Sequence, residues 1–499
     1  MIMKKQIFTA ILAATLISGM PKAAAFADTE DNSILQLYTG INYEQEWSGE
    51  AGRYLAQSIY PKIMLGDNSN QPDSHKGLGQ AFAALNAEKS KEAEETYQEI
   101  LKEAKERLAE DPEYSATYTD TESYYVTRAD DHIVSLLSVS TGYTGGAHGY
   151  LAYSGLNFDP KNGRTLKLSE LVSDDDAFKE LVKKEIIRLY PETEAGLVDQ
   201  YFEETPLDNM VWTAGYEGIT CYFNEYTLGP YAIGAQTILI PYEGNEAIIA
   251  GTAADVPESY GVQIPLGYPV RIGGRELIVY ANPTDYDAYD SVSIYLDGEE
   301  NLFDSDIYAY NTRPTYIKAN GEEYLYLQYR MDDDYKVFDI YHLGEKAERI
   351  GTVDLGMASK YVEELETAFT AAITDPEQML FSTTSNLIST ADVQRYYRVG
   401  TDGRPEATEP FFRISGERIL KTKEDLPCEE VDEDGNVFGA VTVPAGTKMT
   451  LLRTDNESIV DLKLDDGKIV RLEVSDESWP HTVNGKGIDD LFEGIMFAG

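Results

Sequence analysis

From Gly251 onward the chain is written in short runs of alternating residues broken by turn formers, and this texture restricts half of it to β-structure. Leu277 to Tyr280, Val292 to Leu296, Tyr324 to Tyr329 and Val337 to Leu343 are the clearest runs, with Asn320-Gly321 and Asp332-Asp333-Asp334 between them. Period-2 alternation buries one face of a strand and wets the other, and Asn-Gly supplies the positive φ that a tight hairpin needs. The 36 tyrosines, against 16 phenylalanines and 3 tryptophans, suit half-exposed sheet faces because the ring is apolar and its tip is polar. The spacing fits a meander or a piece of a propeller, with no fixed repeat period.

The beginning of the chain reads differently. Lys4 and Lys5 precede an apolar run from Ile7 to Met20, which leads to Ala25-Phe26-Ala27 before Asp28. This is the layout of a secretory signal peptide over residues 1–27, too short for a membrane span. Its removal, with three lysines and no acid, takes the net charge of −46 to −49. An exported mature chain without a transmembrane segment is expected. Nucleic acid is excluded as a partner, because a polyanion lacks the cations that phosphate binding requires. A basic partner would be attracted. Cys221 and Cys428 are the only cysteines and lie far apart, so no shared disulfide is expected.

Two amphipathic helices are legible. Ala93, Tyr97, Ile100, Leu101, Ala104 and Leu108 fall on one face, and Asp111-Pro112 ends that helix. A second starts near Asp176, buries Phe178, Leu181, Val182, Ile186 and Leu189, and stops at Pro191. Strands are expected at Tyr124 to Val126, Ile133 to Tyr143, Tyr153 to Phe158, Ile219 to Phe223 and Thr237 to Ile240. Helices and strands in separate runs predict an α+β N-terminal half, an antiparallel sheet with helices on one side. The expected order is a first α+β domain at 28–120, a second at 121–250, a β-rich meander at 251–360, a helix (Lys360 to Thr374) and linker at 361–408, and a small SH3-like β-barrel at 409–499.

Candidate site residues come from two motifs. The first, Tyr143-Thr144-Gly145-Gly146-Ala147-His148-Gly149, joins two strands; Gly145 and Gly146 permit a turn that other residues resist, and His148 pins the loop or touches a ligand. The second runs Tyr222-Phe223-Asn224-Glu225-Tyr226-Thr227-Leu228-Gly229-Pro230-Tyr231-Ala232-Ile233-Gly234, where Gly229-Pro230 bends a strand–turn–strand. In it the alternation of Tyr222, Tyr226 and Tyr231 with Phe223, Leu228 and Ala232 predicts core packing. The candidates for ligand binding or loop definition are Tyr143, Gly145, Gly146, His148, Tyr226, Pro230, Tyr231 and Gly234. No catalytic residue is assigned, since His148 has no orienting carboxylate or nucleophile identifiable beside it. The closest two of the five histidines are 16 residues apart, which rules out a local two-histidine zinc motif, and no metal or cofactor is expected.

With Asn157-Phe158-Asp159, Asn162-Gly163 and Ile240-Pro241-Tyr242, these motifs resemble the extracytoplasmic domain pair of lysozyme-sensing RsiV-like anti-sigma factors and the N-terminal regions of PdaC-like peptidoglycan deacetylases, over about residues 40–250. The resemblance implies a helix-plus-sheet domain continued by a second one, and an extracellular recognition function directed at a cationic lysozyme or a peptidoglycan fragment. It does not extend to a deacetylase catalytic domain or to a segment for holding a sigma factor, because six residues precede the apolar run. The alternatives are a cell-envelope enzyme using paired carboxylates and a wall-associated scaffold.

Overall fold

Strands β1 (Leu37–Ser48) and β2 (Arg53–Leu65) form an antiparallel hairpin in the register Leu37↔Leu65, with an irregularity between Gln45 and Trp47. The chain then enters α1 (Lys76–Glu110), 35 residues long, which buries Leu78, Phe82, Ala93, Tyr97, Ile100, Leu101 and Ala104. Asn86 ties this helix to β2: its Oδ1 accepts the Ile63 N–H at 2.9 Å and its Nδ2 donates to the Ile63 carbonyl at 2.8 Å. The helix carries the chain across to β3 (Tyr118–Ala129), which pairs parallel to β2 from Ala56↔Tyr118 to Ile59↔Thr121. The expected antiparallel sheet is corrected at this step, since a helical crossover returns the chain in the same direction. Strands β4 (Val134–Tyr143) and β5 (Tyr150–Phe158) then follow antiparallel. Because β3 spans the expected boundary at residue 120, both sides of that boundary share one sheet.

These elements belong to a computed structural model that describes residues 33–49, 51–66, 75–284, 288–305, 307, 309–331 and 335–497. The expected signal peptide lies outside the described residues.

A short helix α2 (Leu168–Leu171) leads to α3 (Asp175–Leu189), where the Asp174 side chain accepts the Ala177 N–H at 3.0 Å and Phe178, Val182 and Ile186 are buried. Helix α4 (Ala195–Glu204) contributes Val198 and Phe202. All pack on a three-stranded antiparallel sheet of β6 (Val211–Ala214), β7 (Gly218–Phe223) and β8 (Gln236–Pro241). This sheet crosses β5 so closely that a Cβ on Gly155 would sit 1.7 Å from the Trp212 carbonyl oxygen, so only glycine fits there. Polar side chains bridge the two sheets: Asn157 Nδ2 donates to the Trp212 carbonyl at 2.9 Å and Ser135 Oγ accepts the Ala214 N–H at 3.0 Å.

One buried ion pair joins this part to the next. Arg128 and Asp130, both at 0% exposure, pair at 2.7 Å. Arg128 also donates to the carbonyls of Ala253 at 2.6 Å and Asp255 at 3.0 Å, while Asp130 Oδ1 accepts the N–H groups of His132 and Ile133, each at 2.9 Å. Burial alone would lower the guanidinium; the Asp130 charge and its hydrogen bond raise it above its ordinary value.

The alternating runs beyond Gly251 form strands as expected. Strands β9 (Tyr260–Gln263), β10 (Val270–Ile272), β11 (Arg275–Pro283), β12 (Tyr289–Leu296), β13 (Glu299–Asp304), β14 (Tyr310–Ala319), β15 (Glu322–Arg330), β16 (Lys336–Leu343) and β17 (Ala347–Val353) follow in order. They make a four-stranded sheet, β10-β11-β12-β13, and a five-stranded one, β17-β16-β15-β14-β9. Leu277, Val279, Val292 and Ile294 from the first share a core with Leu325, Leu327 and Tyr341 from the second.

Two expectations fail downstream. Residues 360–374 are not a helix: β18 (Gly356–Met357) and β19 (Ser359–Val362) lead through a 3-10 turn to β20 (Thr367–Ala371). β20 pairs with β1 (Tyr38↔Ala371 to Gly40↔Phe369) and completes a seven-stranded sheet, β19-β20-β1-β2-β3-β4-β5. Thr367, Phe369 and Ala371 are buried on the face that this pairing selects. The closed barrel expected at 409–499 is not formed either. The strands there do pack a core of their own, but Phe412–Ile414 pairs with Ala391–Val399, which draws them into an open sheet running from Gly356–Met357 to Val437–Val443.

Candidate recognition surface

The connection after β7 is laid against the edge of β5 by side chains that imitate a strand. Asn224 Oδ1 accepts the Tyr153 N–H at 2.7 Å, its Nδ2 donates to the Tyr153 carbonyl at 3.1 Å, and Glu225 Oε2 accepts the Leu151 N–H at 3.2 Å. Leu228, 3% exposed, anchors the far side of the loop in the core beneath. Between these anchors Tyr226 takes a left-handed conformation, φ 66°, and turns its ring outward to 63% exposure. The core positions expected for Tyr226, Tyr231 and Ala232 are thereby corrected, because the left-handed turn breaks the alternation and the 3-10 turn after it buries none of its residues. Tyr222 is buried as expected, its hydroxyl 3.0 Å from Thr213 Oγ1.

The loop between β4 and β5 meets Tyr226 from the other side. The His148 ring stacks on Tyr231, centroids 3.7 Å apart at 21°, and Tyr226 lies 5.8 Å from Tyr231. Nδ1 of His148 is 2.7 Å from the Gly149 carbonyl, which only accepts, so Nδ1 carries the proton. In the neutral ring Nε2 then accepts from the Tyr226 hydroxyl at 3.3 Å. Both nitrogens are engaged, which suits a positioned aromatic surface better than proton transfer.

The remaining candidates define the loops. Gly145 has φ 78°, and a Cβ there would meet Tyr118 Oη at 2.3 Å, so glycine is required. Gly146 needs neither concession, with its nearest Cβ neighbour at 3.6 Å; its carbonyl accepts from the Tyr143 hydroxyl at 3.1 Å. Pro230 starts the 3-10 turn that presents Tyr231, and Gly234 ends it at φ 73°. Sequence reasoning missed Asn224 and Glu225, whose docking role has no signature in spacing. It also missed Tyr150, 38% exposed beside the loop, whose hydroxyl bonds Asp120. Burial and then the Asp120 charge raise that phenol. Among the described residues no cluster of three or more His, Cys, Asp or Glu has an arrangement able to hold a metal, and no helix is long and apolar enough to cross a membrane.

Comparison with known proteins divides the surface between two regions. Residues 70–150 match the family model for "Deacetylase PdaC" and residues 169–243 match the family of unknown function DUF3298. Two solved structures are similar. A DUF3298 family member from Bacteroides fragilis NCTC 9343 is 22% identical, covering 45% of this chain and 97% of its own, with a TM-score of 0.34. A DUF3298 family protein from Pseudomonas aeruginosa PAO1 is 15% identical, covering 44% and 97%, with a TM-score of 0.29. No curated protein matches. His148 thus belongs to the PdaC region and Tyr226 and Tyr231 to the DUF3298 region.

Proposed function

We propose that this chain is a secreted or cell-surface recognition protein of the cell envelope, non-enzymatic, whose binding face is the aromatic surface made by His148, Tyr226 and Tyr231. The observation that carries this reading is the convergence of the two loops: each presents little alone, and together they hold three rings in fixed mutual geometry. Rigid aromatic groups with polar tips bury large contact area at low entropic cost, which is why they concentrate at protein interfaces. A chain carrying −46 accelerates and favours encounter with a basic protein, so the partner is a cationic protein of the lysozyme type. The resemblance to lysozyme-sensing extracytoplasmic domains and the PdaC region both support an envelope setting.

The test is calorimetric titration of the full chain with a c-type lysozyme, at low and at physiological salt. Saturable binding at both, weakened at least tenfold (about 1.4 kcal/mol) by the pair Tyr226→Ala and Tyr231→Ala, is the expected result. Binding that disappears at physiological salt, or that ignores the double variant, overturns the reading. Binding of soluble peptidoglycan fragments in place of lysozyme keeps the surface and replaces the partner.

A further inference from the structure

A cleft of about 200 Å³ lies between β1, β3 and the first half of β14, lined by Thr39, Ser123, Tyr125, Gln263, Thr312 and Arg313 among others. Arg313 is the anomaly within it. Other arginines drawn into the structure have partners: Arg128 meets Asp130, Arg349 meets Asp339, Arg453 and Arg471 share Asp461, and Arg53 donates to the carbonyls of Tyr54, Tyr114 and Ala116. In a chain with 87 acidic residues a partner is easily supplied, yet Arg313 has no hydrogen bond or ion pair among the described residues. Burial holds its guanidinium below the ordinary arginine value, opposed by the phenols of Tyr125 and Tyr43. An arginine cannot escape such a site by losing its proton.

The surroundings are unfinished in the same sense. Thr312 Oγ1 is buried without a partner, and so is Oε1 of Gln328, which faces Arg313 across the β14–β15 ladder. Buried polar atoms are nearly always paired, so two orphans beside an unpaired cation call for an explanation. The backbone is specialised here too. The register slips between Tyr310 and Arg313, and Asn311 sits at φ 52°, a bulge of the kind that re-aims a side chain at a functional position.

We propose that this cleft binds a small carboxylate, taken by the Arg313 guanidinium in its two-pronged geometry, with neutral side chains of the lining around it. A single cation with neutral donors matches a planar monoanion, whereas a phosphate dianion would leave charge uncompensated. The volume is below that of clefts for drug-sized ligands, which limits the occupant to an N-acyl amino acid or the free carboxyl end of a peptide. This site is separate from the His148 surface and does not depend on the partner proposed for it.

The experiment uses the full chain and three probes, N-acetylalanine, N-acetylalaninamide and inorganic phosphate, read by thermal shift and calorimetry, with acetyl-trialanine to separate a free amino acid derivative from a peptide end. N-acetylalanine is expected to bind saturably and raise Tm, and the amide is not. Arg313→Gln should lose at least tenfold in affinity and Arg313→Lys less. Without ligand, Arg313→Gln should melt at or above the parent temperature, because it removes a charge that nothing in the fold balances. Equal binding of acid and amide, preference for phosphate, unchanged binding by Arg313→Gln, or a lowered Tm in that variant would each overturn the proposal.

Discussion

Removing the carboxylate of Asp130 should be among the most damaging single changes available to this fold. Arg128 and Asp130 are both fully buried, so Asp130→Ala leaves a guanidinium in the interior with three carbonyls and a tyrosine hydroxyl but no counter-charge. Breaking a buried pair in this way costs about 3–5 kcal/mol. The N–H groups of His132 and Ile133 also lose their acceptor, which adds about 1 kcal/mol or more. The double variant Arg128→Met with Asp130→Asn behaves differently: the amide oxygen still accepts both N–H groups, and no charge is left in the core. Its cost should be smaller, about 2–4 kcal/mol, from the stranded Ala253 carbonyl and the Asn amide N–H groups that replace the Arg128-facing oxygen. Urea titration followed by tryptophan emission reads the difference, because Trp212 is 5% exposed in the adjoining core whereas Trp47 and Trp479 are 57% and 67% exposed. A single variant costing under about 1 kcal/mol, or a double variant worse than the single, would refute the view that the uncompensated charge dominates.

Two further outcomes follow from local geometry. Burial, with the nearby Glu377 charge, raises the Asp375 carboxyl above the ordinary 3.8, against the pull of the Glu377 N–H. The folded chain therefore holds a proton that the unfolded chain releases as pH rises past 3.8, so this group's contribution is full below that pH and lost above the raised value. Asp375→Asn should raise Tm at pH 7, with the gain shrinking to nil below 3.8; a gain that is constant with pH would contradict this. Gly145→Ala should cost about 1–3 kcal/mol through its positive φ and the contact with Tyr118, and should weaken the ring-current shift of the His148 resonances, while Gly146→Ala should do neither; equal behaviour of the two would show that the turn does not demand glycine at 145.

What was legible in the chain was local. Asp174 before Phe178, Val182 and Ile186 announces a capped helix because the cap and the buried stripe both lie within one short window. The β4 and β5 strands and the turn-punctuated ladders of β11 to β16 are equally plain. Residues 360–374 misled because Leu365, Ala368, Phe369 and Ala372 fit a helical period while Thr367, Phe369 and Ala371 fit a strand. In so short a stretch both patterns are satisfied, and the edge offered by β1 decides between them. The barrel misled for a related reason, since strands read correctly one by one do not say whether their sheet closes. At the candidate surface the motif residues were legible as loops. That His148 would stack on Tyr231, 83 positions away, depends on Asn224 and Glu225 docking along β5, which no pattern in the sequence encodes.

The first sheet also has a timetable. Asn42 donates to the carbonyl of Leu365, 323 positions later, at the place where β20 closes over β1. During synthesis at about 5–20 residues per second, that flank of β1 stays bare for roughly 16–65 s after it leaves the ribosome. Through this interval its unpaired N–H and C=O groups can recruit any extended segment nearby. A polypeptide cut at residue 250 never leaves that state, so the strand that finishes the oldest part of the protein is among the things a shortened version would lack.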